Sequence, residues 1–229
     1  MQQLSFEKIQ QTTQFFFLRH GQSEGNRRNI VQGHQNSHLS DAGREQARAA
    51  GTFLSDKNIA AVFSSPLSRA HETARIAAAA AGIDPGNILL RDNLMEIDTG
   101  IFSGLNFEEA EKQYPRAWNN FQKYSWEGVP SAESISALLQ RAADVWQELI
   151  ETAAAGAQNI LCVSHGGIIQ WIIKLSMSSE WKQWMPVINT PNCGIHMLLV
   201  NPLGREEKSG RYYTGWHMVN YVPHQGSAE

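Results

Sequence analysis

Residues 15–26 read FFFLRHGQSEGN, four apolar side chains in succession followed by Arg19, His20 and Gly21. A run that is apolar on both faces marks a strand buried inside a parallel sheet. When such a strand ends in an arginine and a histidine, it delivers both to the carboxyl edge of the sheet, where open α/β sheets bind ligands. Similar short runs predict further strands at residues 60–64, 88–91, 160–163, 195–200 and 217–222. Between them, helices are predicted to start near Ser40, Leu67, Ser134 and Gly167, the second stopping at Gly82. This alternation specifies an α/β protein: a three-layer α/β/α sandwich with a mainly parallel central sheet.

The chain has 229 residues, enough for one large domain over 1–229. Residues 98–133 interrupt the rhythm. They are aromatic-rich, hold no convincing strand and are expected to form an inserted helical cap. A net charge of −3 gives no general attraction to nucleic acid or to an anionic membrane. The first fourteen residues lack the apolar run of a signal peptide, and residues 168–175 are interrupted by Gln170 and Lys174 and are too short to cross a bilayer. A cytoplasmic protein is expected. Cys162 and Cys193 sit in apolar segments without metal-ligand spacing and read as buried thiols.

Polar residues cluster where the predicted strands end. Ser64-Ser65-Pro66 leads to Arg69, the third strand leads to Glu96, and a later one ends in Ser164-His165-Gly166-Gly167. Two histidines, two arginines and a carboxylate can therefore meet in one crevice, a set suited to phosphoryl transfer. Arginine forks match phosphate oxygens, and Gly21, Gly166 and Gly167 permit close backbone approach, with the N–H groups opening the last helix as an anion nest. No GxxxxGK[ST] loop occurs, nor any HxH, HxxH or HExxH spacing, and the arginines would repel a cation. Neither a metal nor a cofactor is expected.

The segments LRHGQSEGN, SSPLSRAHETA, LMEID and VSHGG, in that order, resemble the histidine phosphatase superfamily, which contains cofactor-dependent phosphoglycerate mutases and many phosphatases. The resemblance spans roughly residues 15–200. It implies that His20 is the nucleophile, forming a phosphohistidine, that His165 stabilises the transferred group, and that Arg19 and Arg69 clamp it. It makes Glu96 the proton donor, with Asp98 as a rival. Asn26 and Gly166 are implied phosphate contacts, while Ser23, Gln32 and Gly33 are expected at the mouth. His34, His38, His71, His196, His217 and His224 read as structural or surface residues.

Membership of such a family leaves the reaction open. Glu96 and His165 are 69 positions apart, a shorter insertion than the mutases carry. Between them four basic residues face nine acidic ones, a local charge of −5 ill-suited to an anionic bisphosphate. Ile30 stands where mutases have an arginine, and Arg27 and Arg28 read as solvated charges. Phe102 and Ser103 replace a tryptophan and a glutamate of many relatives, and Ser131-Ala132 replaces two glycines. The aromatics Phe102, Phe107, Tyr114, Trp118, Phe121, Tyr124, Trp126 and Trp146 suit a substrate with an apolar body. These features favour a metal-independent phosphatase acting on a small phosphate ester. Phosphoglycerate mutase is the alternative, and a non-catalytic phosphate-binding protein a more distant one. A homodimer stays open, with Trp181 and Trp184 as interface candidates.

Overall fold

The computed structural model describes residues 4–177, 188–202 and 212–223. Its sheet contains β1 (Thr13–Arg19), β2 (Ala61–Ser64), β3 (Leu89–Leu90), β4 (Asn159–Ser164), β5 (Ile195–Pro202) and β6 (Tyr212–Tyr221), in the order β3-β2-β4-β1-β5-β6. The first four run parallel, whereas β5 pairs antiparallel with β1 and with β6. The sheet is thus mixed, parallel among β1–β4 and antiparallel at the β5–β6 end.

The opening run explains the layers. β1 lies between β4 and β5, so its side chains alternate between two buried faces. Phe15 and Phe17 join Trp146, Leu149, Ile168 and Ile172 of α6 (Ile135–Ala154) and α7 (Gly166–Ser176). Phe16 and Leu18 join Ala47, Ala50, Ala74 and Ala77 of α2 (Asp41–Leu54) and α3 (Ser68–Ala80). Each buried aromatic contributes on the order of 1.5–3 kcal/mol. The Trp146 ring meets Phe15 and Phe17 edge-on, 5.5 and 5.4 Å between centroids, and its indole N–H donates to Ile172 O. Phe6 packs against the same indole, tying the chain before β1 to this core.

The expected helix starts are found. Ser40 caps α2 by accepting from Gly43 N, and Ser134 caps α6 by accepting from Ala137 N. Between β1 and α2, a single turn, α1 (Glu24–Arg27), is fixed by a Ser23 capping box and is too short to show in the apolar periodicity. Two strands differ from expectation. β3 is a two-residue exposed edge, and β6 starts earlier, in the polar-aromatic stretch at Tyr212, because an edge strand needs no continuous apolar run.

The segment after Glu96 contains α4 (Phe107–Gln113) and α5 (Pro115–Tyr124), built on a small cluster of Phe102, Ala110, Ala117 and Val129. An antiparallel bridge between Thr99 and Ala132 closes its neck. Ser131 adopts φ 61, a conformation that costs a side-chain-bearing residue of order 1–2 kcal/mol. Among the described residues no helix is long and apolar enough to cross a membrane. Trp181, Trp184 and His224 lie outside the described residues.

Candidate active site

His20 follows directly from β1, and its backbone is fixed on both sides: Arg19 N donates to Gly194 O and His20 N to Ser164 O. The ring is buried, with Nδ1 2.7 Å from Gly21 O. A carbonyl can only accept, so Nδ1 carries the proton and Nε2 the lone pair. Burial, then the charges of Arg19 and Arg69, hold the ring's pKa well below the usual 6.5. His20 is therefore a neutral imidazole at physiological pH. Gly21 has a different role from the expected one of making room for a ligand. A Cβ there would lie 2.4 Å from Gly43 O, so the loop rests on the first turn of α2 while the Gly21 carbonyl orients the histidine.

His165 lies beside it, ring centroids 5.1 Å apart. Its Nε2 is 2.8 Å from Ser65 Oγ, which already accepts from Leu67 N. In the tautomer in which the Ser65 hydroxyl donates to Nε2, the ring proton sits on Nδ1, a buried atom with no partner among the described residues. Burial, followed by Arg69, His20 and Arg19, lowers this pKa well below the usual value too.

Both guanidinium groups are held by carbonyls. Arg19 Nη1 donates to Thr190 O at 2.5 Å, and Arg69 donates to Gln35 O and Gly33 O at 2.8 and 2.9 Å. Burial lowers both pKa values, that of Arg69 to about 10, so both stay cationic at neutral pH. Their Nε atoms are buried without protein partners. Two cations, each with a buried and unused Nε–H, beside the unpartnered His165 Nδ1 describe a site for an anion with several oxygens.

Glu96 offers the compensating charge. Its Oε1 accepts from Ile97 N and Ile168 N, and Oε2 from Gly167 N, at 2.9, 3.1 and 3.2 Å. This corrects the expected anion nest, because two N–H groups of the first turn of α7 serve Glu96 instead of a ligand. Gly166 remains beside Arg19, and Gly167 is the contact on which Glu96 rests. Arg141 holds the Glu96 loop by donating to Met95 O and Glu96 O while paired with Glu133, a mostly buried arrangement. Asp98, the rival acid, accepts from Gly100 N at the neck and does not line the cavity.

Asn26 lines the cavity. Its Oδ1 accepts from Ser23 N, Ser23 Oγ and Asn192 Nδ2, which leaves its amide N–H groups for a ligand. Ser23 is not at the mouth. It is fully buried behind Asn26, where it caps α1 and contacts Gln32. Gln32 and Gly33 do line the cavity. Asn192 and Thr190, which place Asn26 and Arg19, escaped the sequence reading, with the turn-forming TPNCG before β5 as their one visible signal. Ser65, quoted at the end of the second strand but given no role, contacts His165.

The cavity measures about 300 Å³, within the small-molecule range. Of the eight aromatics assigned to an apolar lid, only Trp126 lines it. Phe102 and Trp146 are core, and Phe107, Tyr114 and Tyr124 face solvent. The other aromatic wall is Trp171 of α7, beside Gln170 and Lys174. The acidic residues behind the −5 also face elsewhere, since among the described residues Glu96 is the one carboxylate lining this cavity. Ile30 lines it, whereas Arg27 and Arg28 are exposed and Arg27 pairs with Glu24. Both cysteines are buried, and burial raises Cys193 to about 12.

Residues 15–209 match the histidine phosphatase superfamily (branch 1). The bifunctional protein Rv2228c of Mycobacterium tuberculosis is 33% identical over 168 residues, covering 73% of this chain and 45% of that protein. This chain thus spans about half the length of the first curated relatives it matches. The broad-specificity phosphatase YOR283W of Saccharomyces cerevisiae is 30% identical over 162 residues, covering 69% of this chain and 68% of that one. The solved structure of mycobacterial glucosyl-3-phosphoglycerate phosphatase Rv2419c in complex with VO3 shares the fold, with a TM-score of 0.76 at 22% identity over 91% of this chain and 99% of that one.

Proposed function

Because the chain belongs to the histidine phosphatase superfamily, we propose that it hydrolyses small phosphomonoesters through a phosphohistidine on His20. The observation that carries this reading is a neutral, buried His20 oriented by Gly21 O and set among the partnerless donors Arg19 Nε, Arg69 Nε and His165 Nδ1. The phosphoryl group sits on these donors, with Asn26 supplying a further N–H. His20 Nε2 forms the P–N bond as the P–O bond to the alcohol breaks. Glu96, having taken up a proton from solvent as the anionic ester binds, gives it to the leaving oxygen. As a carboxylate it then takes one from the water that attacks phosphorus and releases phosphate and free His20. The residues supply this chemistry without a metal, since the charge on the equatorial oxygens is met by the guanidinium groups.

Phosphatase is favoured over mutase because, among the described residues, the cavity holds one cation beyond the phosphate clamp, Lys174, and has Ile30 where a further basic contact would stand. The name of the yeast relative supports the same choice. The test is hydrolysis of p-nitrophenyl phosphate in EDTA, run beside interconversion of 2- and 3-phosphoglycerate with added bisphosphoglycerate. Steady ester hydrolysis without interconversion is expected. Interconversion faster than hydrolysis would make the protein a mutase.

Gly167→Ala probes the acid without removing it. The new Cβ would lie 2.4 Å from Glu96 Oε1, so the carboxylate must shift. A displacement of that kind costs about 10²-fold in turnover. The expected result is a loss in kcat near that size with vanadate affinity nearly retained. Unchanged kcat would mean that Glu96 is not the proton donor.

A further inference from the structure

Gly167, Gln170, Trp171 and Lys174 are spaced three, four and seven residues apart and line the cavity as one stripe of α7. Gly167 touches Glu96 at the reacting end, and Lys174 lies about 10 Å farther along the helix axis. The lysine is half-buried, its ammonium 4.9 Å from the centre of the Trp171 ring. Among the described residues no carboxylate pairs with it, and burial alone lowers its pKa from the usual lysine value. Among the described residues the one carboxylate lining the cavity, Glu96, is already held by three backbone N–H groups.

We propose that Lys174 is a specificity-determining residue that binds a second anionic group, a carboxylate, on the substrate. The substrate class is then a phosphomonoester whose short, flat or apolar body lies between Trp126 and Trp171, with phosphate at Arg19 and Arg69 and a carboxylate at Lys174. The Gln170 amide can donate to the same carboxylate. This rests on the phosphatase reading for which end the phosphate occupies. It also accounts for the uncompensated Ile30, because the second anion is met from α7 instead of from the loop after α1.

The experiment compares phenyl phosphate with 4-carboxyphenyl phosphate, and the corresponding unhydrolysable phosphonates by calorimetry, in the wild type and in Lys174→Met. Methionine keeps an unbranched stem against Trp171 and removes the charge. The wild type should favour the carboxylated ester by about tenfold in kcat/KM, through KM, and the carboxylated phosphonate by a similar factor in Kd. In Lys174→Met both ratios should fall to about one, and Lys174→Arg should restore part of each. If phenyl phosphate is hydrolysed but no carboxylate preference exists, or if Lys174→Met retains it, the subsite is wrong and the phosphatase reading stands. If neither ester turns over, that reading fails, and the phosphonate ratios alone decide the role of Lys174.

Discussion

Replacing His20 with alanine should lower turnover of p-nitrophenyl phosphate by about four orders of magnitude or more. In the proposed mechanism the nucleophile is the one member of the site whose function no neighbour can assume, because the other buried histidine, His165, has its Nε2 engaged with Ser65 and does not line the cavity. Vanadate affinity should fall much less, since Arg19, Arg69, His165 and Asn26 hang from separate elements with their own backbone supports. A rapid quench of the wild type should trap an acid-labile, base-stable phosphoprotein that is missing in His20→Ala. The pH profile adds an independent check. Protonated imidazole cannot attack, and the ring's pKa lies well below 6.5, so kcat/KM should hold as pH falls past 6.5 and decline only at lower pH. Turnover surviving in His20→Ala would sink the covalent mechanism.

Much of this site was legible because strand ends are legible. The run at residues 15–18 could be nothing other than a central strand, so Arg19 and His20 had to emerge at its carboxyl edge, and the same logic applied to Ser164-His165. What the sequence did not disclose were roles that depend on which backbones approach each other. Gly21 and Gly167 were both read as openings for phosphate, yet one packs on α2 and the other on Glu96. A glycine signals close approach without naming the partner. The aromatics after Glu96 misled for a related reason. A small helical unit needs its own core, and Phe102 and its neighbours fill that need before any reaches the cavity. Lys174 was hidden because a cation within an apolar helix counts only as an interruption until the opposite wall is known.

Acid should unfold this protein early. His20, His165 and His196 are all nearly inaccessible to solvent, at 2%, 0% and 0% exposure, and all three have depressed pKa values, that of His196 about 4 because of burial. In the unfolded chain each titrates near 6.5. Between pH 6.5 and the folded values, unfolding takes up a proton at each ring, so the neutral rings' contribution is intact above 6.5 and is lost as pH falls. A ring that stays neutral in the folded chain costs about 1.4 kcal/mol per pH unit below 6.5, about 2 kcal/mol at pH 5 for His196, and His20 and His165 act in the same direction. For a chain of this size, His196 alone should lower Tm by about 4–8 °C between pH 7 and pH 5, and the other two rings add to the fall. His196 also touches the mechanism, since its Nε2 is 2.9 Å from the hydroxyl of Thr190, whose carbonyl holds Arg19. His196→Asn removes one of the three titrations and should flatten the slope of Tm against pH in the window from 6.5 to 4. A Tm that stays level from pH 7 to pH 5 would show that these rings take up protons in the folded state, and the neutral nucleophile assigned to His20 would fall with it.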